Sequence, residues 1–548
     1  MTDTLVPRTP SAYDYPLLIK QLLHHPVVDN PEQEIVYRGI MRFTYRDLRE
    51  RVRRLANVLT GLGVKPGDTV AVMDWDSHRY LELFFAVPMI GAVLHTINVR
   101  LSPEQILYTI DHAEDDLVLV NGEFLPILEQ IRGRIDTVRG YLLLSDDGVV
   151  PESTIPFVGE YEALLAAASP EFSFPDFDEN TRATTFYTTG TTGMPKGVYF
   201  SHRQLVLHTL GVMTALASSP GHGNFHRGDV YMPITPMFHV HAWGIPYVAT
   251  MLGVKQVYPG RYSPDLLLEL IEKERVTFSH CVPTILHMLL KHPHAGRMDF
   301  AGWKVIIGGA AMSRALCTEA LARGIDVFTG YGMSETCPIL TFSQLTPEML
   351  DLPAEEQAAI RCKTGRSIPL VDLRVVDAAL GEVSRDGESA GEIVVRAPWL
   401  TQGYLKDHRN SEKLWEGGYL HTGDVAVRDP KGYVRITDRT KDVIKVAGEW
   451  VSSLELEDLL AHHPAVGEVA VIGQPDEKWG ERPLALVVVK SGEAGKVSEK
   501  DLVNFVREYA DRGLVSKQVV LLRVRLVEAI DKTSVGKISK VTLREKYL

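Results

Sequence analysis

Between Tyr187 and Gly197 the chain reads Tyr-Thr-Thr-Gly-Thr-Thr-Gly-Met-Pro-Lys-Gly. Thr188, Thr189, Thr191 and Thr192 offer hydroxyl donors, and Lys196 adds a positive charge. Gly190, Gly193 and Gly197 let the backbone turn its N–H groups toward an anion. This is the chemistry of polyphosphate binding. It is not a Walker A loop, whose lysine follows glycine and precedes Ser or Thr; here Lys196 follows Pro195 and precedes Gly197. A P-loop kinase or ATPase is therefore disfavoured. A flexible polar turn is the alternative, and the density of donors makes it the poorer reading.

Five further strings carry chemistry. In Gly330-Tyr-Gly-Met-Ser-Glu-Thr336 a tyrosine after a glycine turn can stack on a purine, and Glu335 is a hard oxygen ligand suited to Mg²⁺. The bland alternative is a strand-to-helix turn capped by Ser334 and Glu335. In Tyr419-Leu-His-Thr-Gly-Asp424 the Asp424 carboxylate can accept hydrogen bonds from two ribose hydroxyls, although Thr-Gly-Asp is also a common turn. Pro236-Met-Phe-His-Val-His-Ala-Trp243 offers an aromatic wall for an apolar chain. Its His239 and His241 could form a metal pair, but no third ligand stands at a telling spacing. Asp438 to Trp450 holds Arg439, Lys441 and Lys445, which also suit a solvated face. Lys532-Thr-Ser-Val-Gly-Lys537, taken alone, reads as a basic tail.

Together these strings resemble the signature motifs of the adenylate-forming enzymes: acyl-CoA synthetases, luciferases and peptide-synthetase adenylation domains. The resemblance runs from Glu34 to Lys546 and is strongest to bacterial fatty acyl-CoA synthetases, including the methylthio-acid branch. It implies that the phosphate loop, Thr188 to Gly193 with Lys196, grips ATP. Tyr331 would face adenine, with Gly309, Ala310, Thr329, Gly330, Gly332 and Ser334 lining the nucleotide. Asp424 and Arg439 would hold the ribose, and Lys441 and Lys445 would contact nucleotide or phosphate. Thr188 and Glu335 would sit beside Mg²⁺. His239, Val240, Trp243 and Gly309 would form the acyl pocket, with His239 beside the carboxylate and Trp243 as gate. Lys537 would bridge the acid and the α-phosphate, so Lys537, Glu335 and His239 are the candidate catalytic residues. Gly448, Glu449 and Trp450 would line the coenzyme A tunnel after the small domain turns on Asp438. Three positions depart from the family pattern: Ala447 where a second glycine is usual, Asp531 where many relatives have proline, and His241 where close relatives carry a smaller polar residue.

The implied fold is α/β. A large multi-sheet N-terminal α/β domain, 1–437, would carry the phosphate loop and pockets, and a small α+β domain, 438–548, would swing on the hinge. The implied reaction is ATP-dependent, AMP-forming ligation of a carboxylic acid to coenzyme A. A medium-chain fatty acid is the leading expectation. A methylthio-alkanoate or aryl acid is the alternative within the class. Loading of a carrier protein is less expected, because no carrier domain follows Leu548. Luciferase-like oxidation has no selecting feature. A regulator without turnover fits poorly with Lys537, Glu335 and Asp424 all present. A homodimer is expected from the resemblance alone.

Alternating strands and helices must position these motifs. Thr44 and Asp47 make a capping-box spacing, and Leu48, Val52, Leu55, Leu59 and Leu62 share one face of a helix ending near Gly63. Strands are expected at Thr69–Met73, Asp116–Val120 and Lys304–Ile307, with helices at 80–90 and 103–112. The strand piece Val327-Phe328 is expected to give way to a glycine turn at 330–332, where α/β sheets place ligands. Beyond Arg374 come short strand-like pieces. A compact unit then follows Asp438, with Ser453 as a helix cap, strands at 466–472, 483–489 and 519–526, and a helix over 498–512. The chain has 548 residues, 58 Lys and Arg against 70 Asp and Glu, and net charge −12, so no basic stripe suggests nucleic acid. Four scattered cysteines form no C-x-x-C pair and suggest reduced thiols in the cytoplasm. Neither a signal pattern at the N-terminus nor an apolar run long enough to span a bilayer is expected.

Overall fold

The computed structural model describes residues 6–188, 194–440, 442–446, 449–493, 495–512, 520–533 and 538–548. Two large sheets organise the first four hundred or so residues. One has seven strands, in the order Phe157–Glu160, Gly140–Leu144, Asp115–Asn121, Thr69–Met73, Val93–Thr96, Arg182–Tyr187, Gly197–Ser201. The other has nine strands and includes Val230–Pro233, Lys255–Tyr258, Phe278–Cys281, Lys304–Ile307 and Asp326–Gly332. Neighbours within both sheets are mostly parallel, and strands such as Thr69–Met73 are buried at every residue, as expected when helices or a second sheet cover both faces.

The helix His78–Met89 lies between the two sheets, touching strands of both, and all its residues are buried. Its charges are matched there: Arg51 Nε donates to Glu82 at 2.7 Å, and Arg79 Nη2 donates to Asp146 at 2.9 Å. Leaving either partner alone would strand a buried charge. The helix Tyr45–Gly61 forms with the expected Thr44–Asp47 capping box.

In the nine-stranded sheet the order runs Lys304–Ile307, Phe278–Cys281, Val230–Pro233, Lys255–Tyr258, so the chain direction of progression reverses beside Val230–Pro233. Such a reversal opens a crevice at the carboxyl ends of the strands. The string at 236–243 follows the strand Val230–Pro233, residues 308–311 follow Lys304–Ile307, and the string at 330–336 closes the strand Asp326–Gly332. A four-stranded antiparallel sheet, from Asp372–Val376 to Val434–Arg439, follows. The last unit is a sheet of five described strands flanked by the helices Ser453–Ala461, Glu499–Asp511 and Lys540–Tyr547.

Three expectations change. The helix cap is Ser452, whose side chain accepts from Glu455 N; Ser453 is the first helical residue. The glycines at 330 and 332 belong to the strand Asp326–Gly332, paired antiparallel with Ile339–Phe342, and the turn comes after them at Ser334–Thr336. Gly332 is forced by packing, since a Cβ there would lie 1.7 Å from the Pro338 carbonyl oxygen. The last expected strand begins at Arg523, with 513–519 outside the described residues.

Candidate active site

The phosphate loop is the connection of a β-hairpin. Tyr187 stands opposite Gly197, Thr188 N donates to Lys196 O at 2.9 Å, and Lys196 N donates to Thr188 Oγ1 at 3.3 Å. Thr188 and Lys196 are thus held together at the loop's base. Thr189, Gly190, Thr191, Thr192 and Gly193 lie outside the described residues. Gly197 is closely surrounded: a Cβ would approach the Tyr187 ring to 3.2 Å and Leu405 to 3.1 Å, so a side chain there would push on both.

Glu335 is buried behind this base. Its Oε1 accepts from the Tyr404 hydroxyl at 2.7 Å. Burial holds its carboxyl above the usual range, and the Tyr404 bond and the Arg439 and Lys196 charges oppose that rise. Thr188 and Glu335 therefore present a hydroxyl and a carboxylate, hard oxygen donors that fit Mg²⁺ completed by water and phosphate oxygens. Among the described residues no cluster of three or more His, Cys, Asp and Glu could hold a metal by itself.

Tyr331, Asp424 and Arg439 meet at one point. The Tyr331 hydroxyl donates to Asp424 Oδ2 at 2.7 Å, and Arg439 Nε lies 3.1 Å from Asp424 Oδ1. Each carboxylate oxygen retains a lone pair for a ribose hydroxyl. Thr329 turns inward instead: its hydroxyl donates to Arg361 O at 2.9 Å. Gly309 has φ +77°, and Gly309 and Ala310 form an exposed small-residue shelf at the end of Lys304–Ile307. Ser334 lies one turn beyond, half-buried.

The Pro236–Trp243 string holds an unforeseen backbone. Val240, His241, Ala242, Trp243 and Gly244 have φ of +48°, +53°, +49°, +60° and +72°, one turn of left-handed helix. L-residues resist this region at about 1–2 kcal/mol each. The turn points alternate side chains opposite ways. Trp243 faces His280, ring centroids 5.0 Å apart, and Gly308, where a Cβ would lie 2.9 Å from its ring. His241 points the other way, edge-on to Phe84 at 5.5 Å and Phe186 at 5.3 Å. Neither nitrogen of His241 has a partner, and burial pushes its pKa down to about 3, so it is neutral. The substitution at His241 thus faces aromatic packing, away from Trp243. His239 is half-buried at the start of the turn. Thr96 and Asp76 steady this segment: Thr96 Oγ1 donates to Phe238 O at 3.0 Å, and Met237 N donates to Asp76 Oδ1 at 2.6 Å.

Asp438 is buried on the strand Val434–Arg439, and its Oδ2 accepts from Ser453 N at 2.6 Å. It therefore ties the four-stranded sheet to the first helix of the last unit. Lys445 stands opposite Trp450, and Glu449 opposite Val446, in a two-strand ladder. Lys441, Gly448 and Lys537 lie outside the described residues. The four cysteines are free thiols.

Tyr404, Thr401 and Asp76 were missed by sequence reasoning. A lone Gly-Tyr or Asp-x-Asp carries no spacing signal. Only the distance of Tyr404 from any apolar periodicity could have drawn notice.

The chain is similar to known proteins along nearly its whole length. The family model described as AMP-binding enzyme matches residues 23–405, and that of the AMP-binding enzyme C-terminal domain matches 455–537. A long-chain-fatty-acid–CoA ligase of Thermus thermophilus is 40% identical over 93% of this chain and 91% of its own. A 3-methylmercaptopropionyl-CoA ligase of Ruegeria pomeroyi is 38% identical over 97% of each chain. The solved fatty acyl CoA synthetase of Mycobacterium tuberculosis superposes with a TM-score of 0.71 at 28% identity, covering 97% of this chain and 98% of that one. With both family models matched in order and relatives 40% and 38% identical over nearly the whole chain, the chain belongs to the AMP-binding enzyme family, in its branch of ATP-dependent, AMP-forming acyl-CoA ligases.

Proposed function

We propose that this ligase activates a medium-chain fatty acid. The observation that carries this reading is the apolar wall made by Trp243 against Gly308, next to the exposed Gly309–Ala310 shelf. His280, the ring beside Trp243, is kept neutral by burial, so the wall suits a hydrocarbon chain. The similarity to the 3-methylmercaptopropionyl-CoA ligase favours a second reading, a short methylthio acid.

In the proposed reaction the acid carboxylate attacks the α-phosphorus of ATP. The bond to pyrophosphate breaks, and acyl-AMP forms. Thr188 and Lys196 hold the triphosphate, Asp424 and Arg439 the ribose, and Tyr331 the adenine edge of the site. His239 stands by the carboxylate. Mg²⁺ held by Glu335 and Thr188 would neutralise phosphate charge. Lys537 stabilises charge at the attacking and bridging oxygens. The last unit, 438–548, then turns about Asp438 and brings the Gly448–Trp450 segment in. The coenzyme A thiolate attacks the carbonyl, and AMP leaves. Catalysis of this kind is positioning plus electrostatics.

Pyrophosphate release and coenzyme A consumption, measured from propionate to palmitate with methylthio and phenyl acids included, test the reading. A maximum near octanoate is expected; a maximum at methylthiopropionate would replace it with the second reading. Trp243→Ala is expected to shift the optimum to longer acids with little change in KM for ATP. An unchanged profile would remove Trp243 from the acyl path. The four free thiols suit a reducing compartment, so we place the enzyme in the cytoplasm. Among the described residues no helix is long and apolar enough to cross a membrane. A homodimer rests on the family resemblance, and light scattering of the purified protein tests it.

A further inference from the structure

The segment Thr401–Leu405 stitches the two halves of the phosphate and metal site together. Leu405 N donates to Gly197 O at 2.8 Å, and Tyr404 bridges Val198, so the segment runs along the stem of the phosphate loop. Thr401 Oγ1 donates to Tyr199 O at 3.0 Å, on the same stem. Thr401 N donates to the carbonyl of Glu335 at 3.0 Å. Between these anchors the Tyr404 side chain does two things at once. Its hydroxyl donates to Glu335 Oε1 at 2.7 Å, and the Lys196 ammonium lies 4.5 Å from its ring centroid.

One oxygen of Glu335 is thereby committed, which fixes the rotation of the carboxylate and presents the other oxygen. The ring face meanwhile holds an ammonium whose length of flexible chain would otherwise leave it many positions. Opposite charges that need to act on one triphosphate are held apart by the body of a single side chain. They are kept from collapsing into a direct ion pair.

We propose that Tyr404 is a positioning residue for adenylation: its hydroxyl orients Glu335 and its ring orients Lys196, so that both are set before nucleotide arrives. This rests on the ligase reading above. Nothing in the triphosphate need touch Tyr404 itself.

Calorimetric binding of ATP, with Mg²⁺ and separately with EDTA, separates the two contacts. Tyr404→Phe keeps the ring and loses the hydroxyl. It is expected to weaken MgATP binding about tenfold, the loss of one hydrogen bond to a charged group, and to leave ATP in EDTA unchanged. Tyr404→Leu is expected to weaken both forms. In ATP–pyrophosphate exchange Tyr404→Phe should raise the Mg²⁺ concentration needed for half-maximal rate while KM for the acid stays constant. Equal loss of both ATP forms in Tyr404→Phe, with a lowered Tm, would show mere packing and overturn the proposal. So would parental binding in both conditions, or EDTA binding unaltered in Tyr404→Leu. A parent enzyme that binds no MgATP would overturn the ligase reading itself, a result distinct from a parent that binds normally beside an indifferent Tyr404→Phe.

Discussion

Lys537→Ala is expected to slow formation of acyl-AMP by about 10²–10³-fold, the usual cost of removing one preorganised donor from a developing oxyanion. It is expected to leave thioester formation from pre-made acyl-AMP nearly unchanged. The two lysines of Lys532-Thr-Ser-Val-Gly-Lys537 are not equivalent. Lys532 lies 2.8 Å from Glu468, an ion pair within the last unit. Lys532 also bridges Ile538, and Ser539 N donates to Asp531 O at 2.8 Å, so the flanks of the segment are paired. Asp531, the departure from the family's usual proline, accepts from Lys546 at 3.2 Å and is thus built into the same corner. The first lysine is occupied locally, which supports assigning the nucleotide-directed charge to the second. ATP–pyrophosphate exchange reads the first half-reaction, and coenzyme A consumption with synthetic acyl-AMP reads the second. Equal loss of both would contradict the assignment. Lys532→Ala, the control, should affect neither by more than a few-fold, because an exposed ion pair contributes little.

Asp438→Pro is expected to preserve pyrophosphate exchange and to slow coenzyme A turnover by about 10²-fold, the scale on which small misplacements act. Proline fixes φ, so a swivel at this residue would be locked. Apart from the proposed swivel, the residue has a bonding role, because its carboxylate accepts from Ser453 N at 2.6 Å. Asp438→Ala removes that bond and the one its Oδ1 accepts from Arg439 N at 2.8 Å, and leaves φ free. It should loosen the junction, lower Tm modestly, and keep both half-reactions. Normal coenzyme A turnover in the proline variant would remove the hinge from this position. Exchange lost together with Tm in the proline variant would show a folding defect at the strand instead.

Elements whose signal is local were legible in the chain. The Thr44–Asp47 box reports itself through side-chain bonds three residues apart, and Thr69–Met73 and Lys304–Ile307 through apolar runs with β-branched residues. Misplacements arose where long-range packing decides. Ser452 and Ser453 are equally good caps by type, and long-range bonds distinguish them: Ser452 Oγ donates to Thr437 O, while Asp438 accepts from Ser453 N and Lys540 donates to Ser453 Oγ. Gly330 and Gly332 read as a turn because glycine usually signals one. They are strand residues because Ile306 and Pro338 come too close for a side chain. The candidate residues at 188, 196, 335, 424 and 439 stand out as strings, but the bonds from Tyr331 to Asp424 and from Tyr404 to Glu335 join segments distant in sequence. Val-His-Ala-Trp gives no hint of a left-handed path, since none of its four residues prefers one.

The left-handed winding of residues 240–244 is held from behind. Its four non-glycine residues together oppose the fold by roughly 4–8 kcal/mol, comparable with the net stability of many domains. Phe84, Phe186 and Tyr247, which enclose His241, are among the groups that restrain it. Trimming one of those rings is therefore expected to do more than leave a void: it removes a restraint on the reversed coil that carries Trp243. Where Trp243 lines the acyl path, as proposed above, drift in acid preference can begin at rings outside every motif.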